Sequence, residues 1–70
     1  MVYADWVNVE IDEVLAVTER AMLVVASTTG DEVWIPFSLV DPECGIDSVG
    51  DAGTLIVRRW IAVREGLIDG

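Results

Sequence analysis

The chain has 70 residues, of which 53% are hydrophobic, and it carries 13 Asp and Glu against four Arg, for a formal net charge of -9 without any histidine. One domain over residues 1–70 is the most that this length allows, and the hydrophobic content is too high for a disordered acidic tail. The negative charge repels nucleic acid and anionic membranes and attracts basic surfaces.

The composition also bears on the compartment. Cys44 is the only cysteine, so no internal disulfide can form. The longest apolar run, residues 21–26, has the length of a strand and falls short of the ~20 residues that a membrane span needs. The start of the chain does not resemble a signal peptide. We therefore expect a cytoplasmic protein that does not bind membranes.

The first predicted element is a strand that carries an irregularity. Apolar and polar residues alternate over residues 7–12, which is the period of a half-buried strand. The parity breaks near Asp12 and Glu13, and Leu15 and Val17 then resume an apolar face. A bulge or a tight turn at this point reconciles the two halves.

A hairpin follows in the chain. Residues 20–28 are rich in β-branched and apolar types, which predicts a central strand covered on both faces. Thr29-Gly30-Asp31 is a turn signal between this run and residues 32–37. In the second run Val33, Ile35 and Phe37 share one face, and Glu32 and Trp34 lie on the other. Pro36 has no amide proton, so we predict that this strand lies at a sheet edge or ends there.

The remaining residues predict a loop over 41–53, a short strand over 54–57 and a helix over 58–65. Trp60, Val63 and Leu67 fall three and four residues apart, as on one helical face. Gly66 suits the left-handed position after the helix, with Leu67 folding back on the last turn. The predicted fold class is therefore mostly β (α+β), a small twisted antiparallel sheet or open barrel with one short C-terminal helix.

Two tryptophan motifs carry a resemblance. The segment Val33-Trp34-Ile35-Pro36-Phe37-Ser38 follows the hairpin turn, and Trp60-Ile61-Ala62-Val63-Arg64-Glu65-Gly66-Leu67 lies at the end of the chain. Over residues 10–68 the chain resembles small phage and prophage proteins with a WIPxS strand and a terminal WxAxxxGL helix. Most of those proteins have no assigned activity. Two departures are Phe37, where a polar or basic residue is common, and Arg58-Arg59, where a proline or an acid is common.

The resemblance implies an origin in a mobile element and a life in the cytoplasm of a bacterial host. A small acidic phage protein without catalytic equipment is similar in size and charge to the anti-CRISPR proteins. This step is an analogy of class rather than of motif.

Several kinds of chemistry lack their residues. Without histidine or lysine the common general base and the Schiff-base amine are missing, and Cys44 has no partner base. Four acids share the loop over 41–53, but their spacing does not match an EF-hand, and no zinc ligand set exists. Paired carboxylates remain available, although a domain of this size has little room for a substrate cleft. We expect no enzyme, no cofactor and no metal.

The acids are the first candidates for a partner-binding surface. Glu10 and Asp12 point the same way on the first strand, about 6.6 Å apart. DNA presents a phosphate every ~3.4 Å along a strand, so imitation of DNA would need a second row of acids. The other reading is an ordinary solvated sheet face. The candidate partner-binding residues are Glu10, Asp12, Glu19, Asp31, Glu32, Trp34, Asp41, Glu43, Asp47 and Asp51.

Trp34 has two readings of its own. An exposed tryptophan is enriched in interface hot spots. The alternative, a second small core under the helix or the N-terminus, is the more common outcome for tryptophan.

The leading functional hypothesis is an inhibitory binding protein of a phage, most specifically an anti-CRISPR. Its acids would cover a basic surface that reads DNA on a CRISPR surveillance complex. The alternative is a structural or accessory phage protein that acts through an apolar patch or as a homo-oligomer. Four arginines among 13 acids argue against direct nucleic-acid binding, and we expect a monomer or a small homo-oligomer.

Overall fold

The computed structural model describes residues 5–68 as a four-stranded antiparallel sheet. Its strands are β1 (Trp6–Val17), β2 (Ala21–Ala26), β3 (Glu32–Pro36) and β4 (Gly53–Arg58), in the spatial order β3-β2-β1-β4. Two 3₁₀ helices, Phe37–Leu39 and Pro42–Cys44, lie between β3 and β4, and the helix α1 (Arg59–Arg64) follows β4. The predicted mostly β fold with one short C-terminal helix is confirmed.

The sheet is open and is not closed into a barrel, so it takes the first of the two predicted forms. Closure would require β3 to pair with β4, and these strands lie at opposite edges. The outer edge of β4 is occupied by the connecting segment instead. Val40 forms an isolated bridge with Val57, and the Asp41 amide donates to the Ile56 carbonyl at 2.8 Å.

β1 contacts two strands with its two halves. Residues 6–11 pair with β4 and residues 11–17 pair with β2. The register against β2 shifts twice, between Ile11 and Glu13 and again between Val14 and Ala16. The first irregularity confirms the predicted bulge, whereas the second, which leaves Leu15 unpaired in the ladder, was not predicted. Two extra residues on β1 keep the apolar side chains on one face of the sheet.

The core lies on one face of the sheet, which we call the inner face. Its side chains come from all four strands, and Ile61 and Ala62 of α1 pack onto them together with Val40 and Ile46 of the connecting loop. Among residues 5–68, no polar or charged residue is buried. The largest fully buried side chains are those of Val14, Met22, Val24, Ile35, Leu55 and Val57.

The opposite face, which we call the outer face, has no covering layer. Ala21, Leu23 and Val25 of β2 point to it and are only half-buried. The prediction that this strand is covered on both faces is therefore wrong. Within residues 5–68 the one α-helix packs on the inner face, and none of the described elements covers the other side.

The end of α1 confirms the predicted cap. Gly66 has φ +74°, its amide donates to the Val63 carbonyl at 3.1 Å, and the Leu67 amide donates to the Ala62 carbonyl at 2.8 Å. This pair of bonds is the Schellman motif, and it places Leu67 in the core. Within residues 5–68, no helix is long and apolar enough to span a bilayer.

The sequence placed Trp60, Val63 and Leu67 on one face of the C-terminal helix. In the structure this face points mostly to solvent. Trp60 is 53% exposed and Val63 is 39% exposed, and only Leu67 of that set is buried. The core contacts of the helix come from Ile61 and Ala62 instead. The helix has only six residues, which is too short for periodicity to identify the buried side.

Candidate functional site

Cross-strand pairing fixes which side chains share the outer face, because directly opposite residues in an antiparallel pair point to the same side. One row joins Glu13, Val25 and Glu32 across β1, β2 and β3. The next row joins Ala16, Leu23 and Trp34. Towards β4, Glu10 is opposite Thr54 and Asn8 is opposite Ile56. The middle of the outer face is therefore acidic, and the end beyond it on β2 and β3 is apolar.

Four acids form what we call the acidic belt: Glu10, Asp12, Glu13 and Glu32. All four are exposed, and within residues 5–68 none of them forms an ion pair with an arginine. The Glu10 carboxylate accepts a hydrogen bond from the Thr54 hydroxyl, and the Asp12 carboxylate accepts one from the Ser27 hydroxyl at 2.7 Å. These bonds orient two carboxylates without neutralising their charge.

The belt has acids on two separate strands. Glu13 on β1 and Glu32 on β3 flank β2, so their backbones lie about 10 Å apart, which is two interstrand spacings. Glu32 thus adds a second row of negative charge to the row on β1. Glu13 was absent from the residues that the sequence singled out, although the predicted irregularity at Asp12 and Glu13 placed it at the right point.

The other acids on the sheet side lie outside this row pattern. Glu19 is exposed in the turn between β1 and β2, at the end of β2 that is remote from Glu32. Asp31 is exposed at the close of the β2–β3 turn, directly before Glu32. The structure thus brings Glu10, Asp12 and Glu32 together and leaves Glu19 apart.

Three of the four acids of the connecting loop accept hydrogen bonds from within the loop. Asp41 accepts a hydrogen bond from the Glu43 amide at 2.9 Å. Asp51 accepts from the amides of Asp47 and Ser48 at 3.1 and 3.0 Å, and Asp47 accepts from the Ser48 hydroxyl at 3.0 Å. In the part of the chain that the structure describes, no three His, Cys, Asp or Glu side chains are grouped so that they could hold a metal ion.

An apolar patch borders the acidic belt. We define it by Ala16, Ala21, Leu23, Trp34 and Pro36, which cross-strand pairing places on the outer face. Trp34 is 49% exposed, so the alternative that it fills a second core is wrong. Its side chain lies on the face opposite α1, where none of the elements that the structure describes covers it. Sequence reasoning missed Ala16 because the second bulge of β1 brings it to this face.

Three of the four arginines, Arg58, Arg59 and Arg64, lie at the other end of the sheet, around α1, whereas Arg20 lies in the turn between β1 and β2. The Arg58 guanidinium lies 4.1 Å from the centre of the Trp6 ring, and Arg59 pairs with Asp5 at 3.3 Å. A shallow groove of about 370 Å³ runs beside the helix, lined by Asp5, Arg59, Trp60, Val63 and Arg64. Three of the four arginines therefore lie near the helix, and Arg58, which is opposite Trp6 in the β1–β4 ladder, lies at that end of the outer face.

Comparison of the chain with protein families, with curated proteins and with solved structures finds no match. The functional argument therefore depends on the surfaces described above.

Proposed function

We propose that this protein is a non-catalytic inhibitor that binds a basic, nucleic-acid-reading surface of a partner protein through its acidic belt. In its most specific form the proposal names an anti-CRISPR of phage origin, acting in the bacterial cytoplasm on a CRISPR surveillance complex. The single observation that supports it most is the belt: four exposed carboxylates that, among residues 5–68, have no arginine partner and lie on a sheet face that no described element covers.

The mechanism is competition for cationic side chains. Arginine and lysine residues that hold phosphates would instead hold the carboxylates of Glu10, Glu13 and Glu32. The net charge of -9 would accelerate the encounter with a basic surface. Because such attraction is screened within about 8 Å at physiological ionic strength, binding should weaken steeply as salt is raised.

A charge reversal on the belt tests the proposal directly. The belt variant carries Glu10→Lys, Glu13→Lys and Glu32→Lys, and the control variant carries Glu19→Lys, Glu43→Lys and Glu65→Lys. Both sets are exposed glutamates and change the net charge equally, but only the first set lies on the belt. The measurement is DNA binding by purified surveillance complexes, followed by fluorescence anisotropy of a labelled duplex with added protein.

We expect the wild type and the control variant to displace DNA at low salt, and the belt variant to lose this activity. Equal loss in both variants would mean that only the overall charge matters. Failure of the wild type to displace DNA from any complex would remove the CRISPR assignment. Circular dichroism checks that each variant retains the fold, which exposed charges affect little.

A second candidate function is favoured by the apolar patch. Trp34 leaves about half of its surface in water beside Leu23, which is unusual for so large an apolar side chain. A structural or accessory phage protein would use this patch for self-association or for an apolar partner. That reading predicts concentration-dependent self-association in light scattering, little effect of salt, and loss of association in Trp34→Ala. A monomer at all concentrations would count against self-association.

A further inference from the structure

The outer edge of β3 presents backbone groups that no described element pairs. The Phe37 amide donates to the Arg20 carbonyl at 2.7 Å, and the Ala26 amide donates to the Asp31 carbonyl at 3.0 Å. These two bonds lie at the two ends of the β2–β3 ladder. They determine which residue pairs of the ladder are hydrogen-bonded and which are not, because the two kinds of pair alternate. Val33 and Ile35 therefore turn their N–H and C=O groups towards β2. Glu32 and Trp34 turn theirs away, to the free edge.

The two edges of the sheet differ in this respect. The edge of β4 is bridged by Val40 and bonded by the Asp41 amide, whereas β3 has β2 as its one strand neighbour. Pro36 belongs to the same outward-facing set as Glu32 and Trp34, and it has no N–H to offer. An added strand could therefore form backbone hydrogen bonds with both the N–H and the C=O groups of Glu32 and Trp34. At Pro36 the hydrogen bond from the N–H would be missing.

We propose that β3 accepts an extended segment of the basic partner as a fifth strand of the sheet. This inference deepens the proposed function and rests on it, since the occupant is a segment of the basic surface that the acidic belt binds. The main-chain groups of Glu32 and Trp34 provide the hydrogen bonds, as in other strand additions.

Because side chains alternate between the two faces of a sheet, the edge of β3 favours a particular sequence pattern in the added partner segment. Residues opposite Glu32 and Trp34 lie on the outer face, beside the belt and beside the exposed indole ring. A cation is favoured opposite the Glu32 carboxylate, and a second cation is favoured over the Trp34 ring. The residue between them is opposite Val33, which is 7% exposed on the inner face, so it must be apolar. The expected pattern is basic–apolar–basic, in either strand direction.

Charge decides between this occupant and a second copy of the chain. A second copy pairing through β3 would bring another net charge of -9 and another Glu32 to the same edge. Like charges on opposed strands are destabilising. A basic segment instead neutralises Glu32 and, across β2, lies near Glu13 in the same row.

The probe is a synthetic peptide in which Arg and Val alternate, compared with a peptide of identical composition in which the arginines are contiguous. The measurement is amide hydrogen exchange of the full-length protein by NMR. We expect the alternating peptide to slow exchange at the Glu32 and Trp34 amides. We expect the peptide with contiguous arginines, which has the same charge, to leave the exchange rates of those two amides unchanged.

Two variants separate the backbone contact from the charge. Glu32→Pro removes an outward N–H without removing a bond to β2, and we expect about tenfold weaker binding of the alternating peptide. Glu32→Gln retains that N–H but removes the charge. We therefore expect the peptide to bind more weakly and with less dependence on salt, while it still protects the Trp34 amide from exchange. Thermal unfolding of each variant checks the fold, and the exchange pattern of the wild type stands as evidence if Glu32→Pro does not fold.

The outcomes keep this inference apart from the proposed function. Displacement of DNA by Glu32→Pro with the same potency as by Glu32→Gln, which lacks the same carboxylate but keeps the N–H, would overturn the strand addition and leave the inhibitor intact. Protection of both amides by the alternating peptide, with no displacement of DNA from any complex, would support the edge site and refute the inhibitor. Protection of the Trp34 amide without peptide, rising with protein concentration, would identify a second copy as the occupant and overturn the proposal.

Discussion

The two faces of the sheet use the same four strands for different purposes. On the inner face Ile35 and Leu55 are fully buried, and one helix and the connecting loop complete the core. On the outer face the side chains of the same strands are exposed or half-buried, and acids alternate with apolar groups. In a chain this short, one helix suffices to cover one face. Alternate residues of each strand point to opposite faces of the sheet. Stability and recognition are therefore assigned to alternate side chains of the same strands rather than to separate regions of the chain.

Adjacent residues on β3 give the largest test of this separation. Ile35→Ala should cost about 2–5 kcal/mol of unfolding free energy, because it opens a cavity at a fully buried position. Trp34→Ala should cost only about 1–2 kcal/mol, although tryptophan is the larger residue, because half of its surface is already in water. Urea denaturation measures both values.

If Ile35→Ala is too unstable to measure, Ile35→Val provides the same comparison with an expected cost of about 0.5–1.5 kcal/mol. A greater loss in Trp34→Ala than in Ile35→Ala would mean that the outer face has a structural role. It would also weaken the argument that the apolar patch is free to bind.

Substitution of an acid in the connecting loop and of an acid on the outer face should give stability changes of intermediate size. Asp51 accepts two backbone N–H groups in the loop that ends at β4, so Asp51→Ala should cost about 1–2 kcal/mol. Within residues 5–68 the exposed Glu32 carboxylate accepts no hydrogen bond, so Glu32→Ala should change stability by less than about 0.5 kcal/mol. Thermal unfolding monitored by circular dichroism distinguishes them, and equal costs would contradict the division.

The ion pair near the helix gives the smallest effect. Arg59 and Asp5 are 3.3 Å apart, but their side chains are 51% and 68% exposed. Solvent screening of so exposed a pair limits its coupling to less than about 0.5 kcal/mol. A double-mutant cycle of Arg59→Ala and Asp5→Ala should therefore give a coupling energy near zero in moderate salt. A larger coupling would show that this pair fixes the start of α1 against β1.

Local patterns predicted much of the fold. The turn at Thr29-Gly30-Asp31, the bulge at Asp12, the edge position of Pro36 and the cap at Gly66 each depend on a few neighbouring residues, and each is confirmed. These features follow from backbone conformations that particular residue types favour or forbid.

The remaining features depend on contacts between distant parts of the chain. The exposure of Trp34 follows from which face α1 covers, and the second bulge beside Leu15 follows from the register against β2. The belt likewise required the pairing of β3 with β2 and of β2 with β1 before Glu13 and Glu32 could be placed in one row. Periodicity within one strand does not carry that information.

The two bulges of β1 also determine where the chain tolerates changes of length. Asp12 and Leu15 are the residues that the β1–β2 ladder skips, so removal of either one eliminates one of the two bulges and leaves the apolar side chains on the same side of that ladder. Removal of a paired residue such as Asn8 would invert the preceding half of the strand relative to its neighbours. Insertions and deletions among variants of this protein should therefore concentrate at positions 12 and 15, and a deletion at 12 would also remove one carboxylate of the acidic belt.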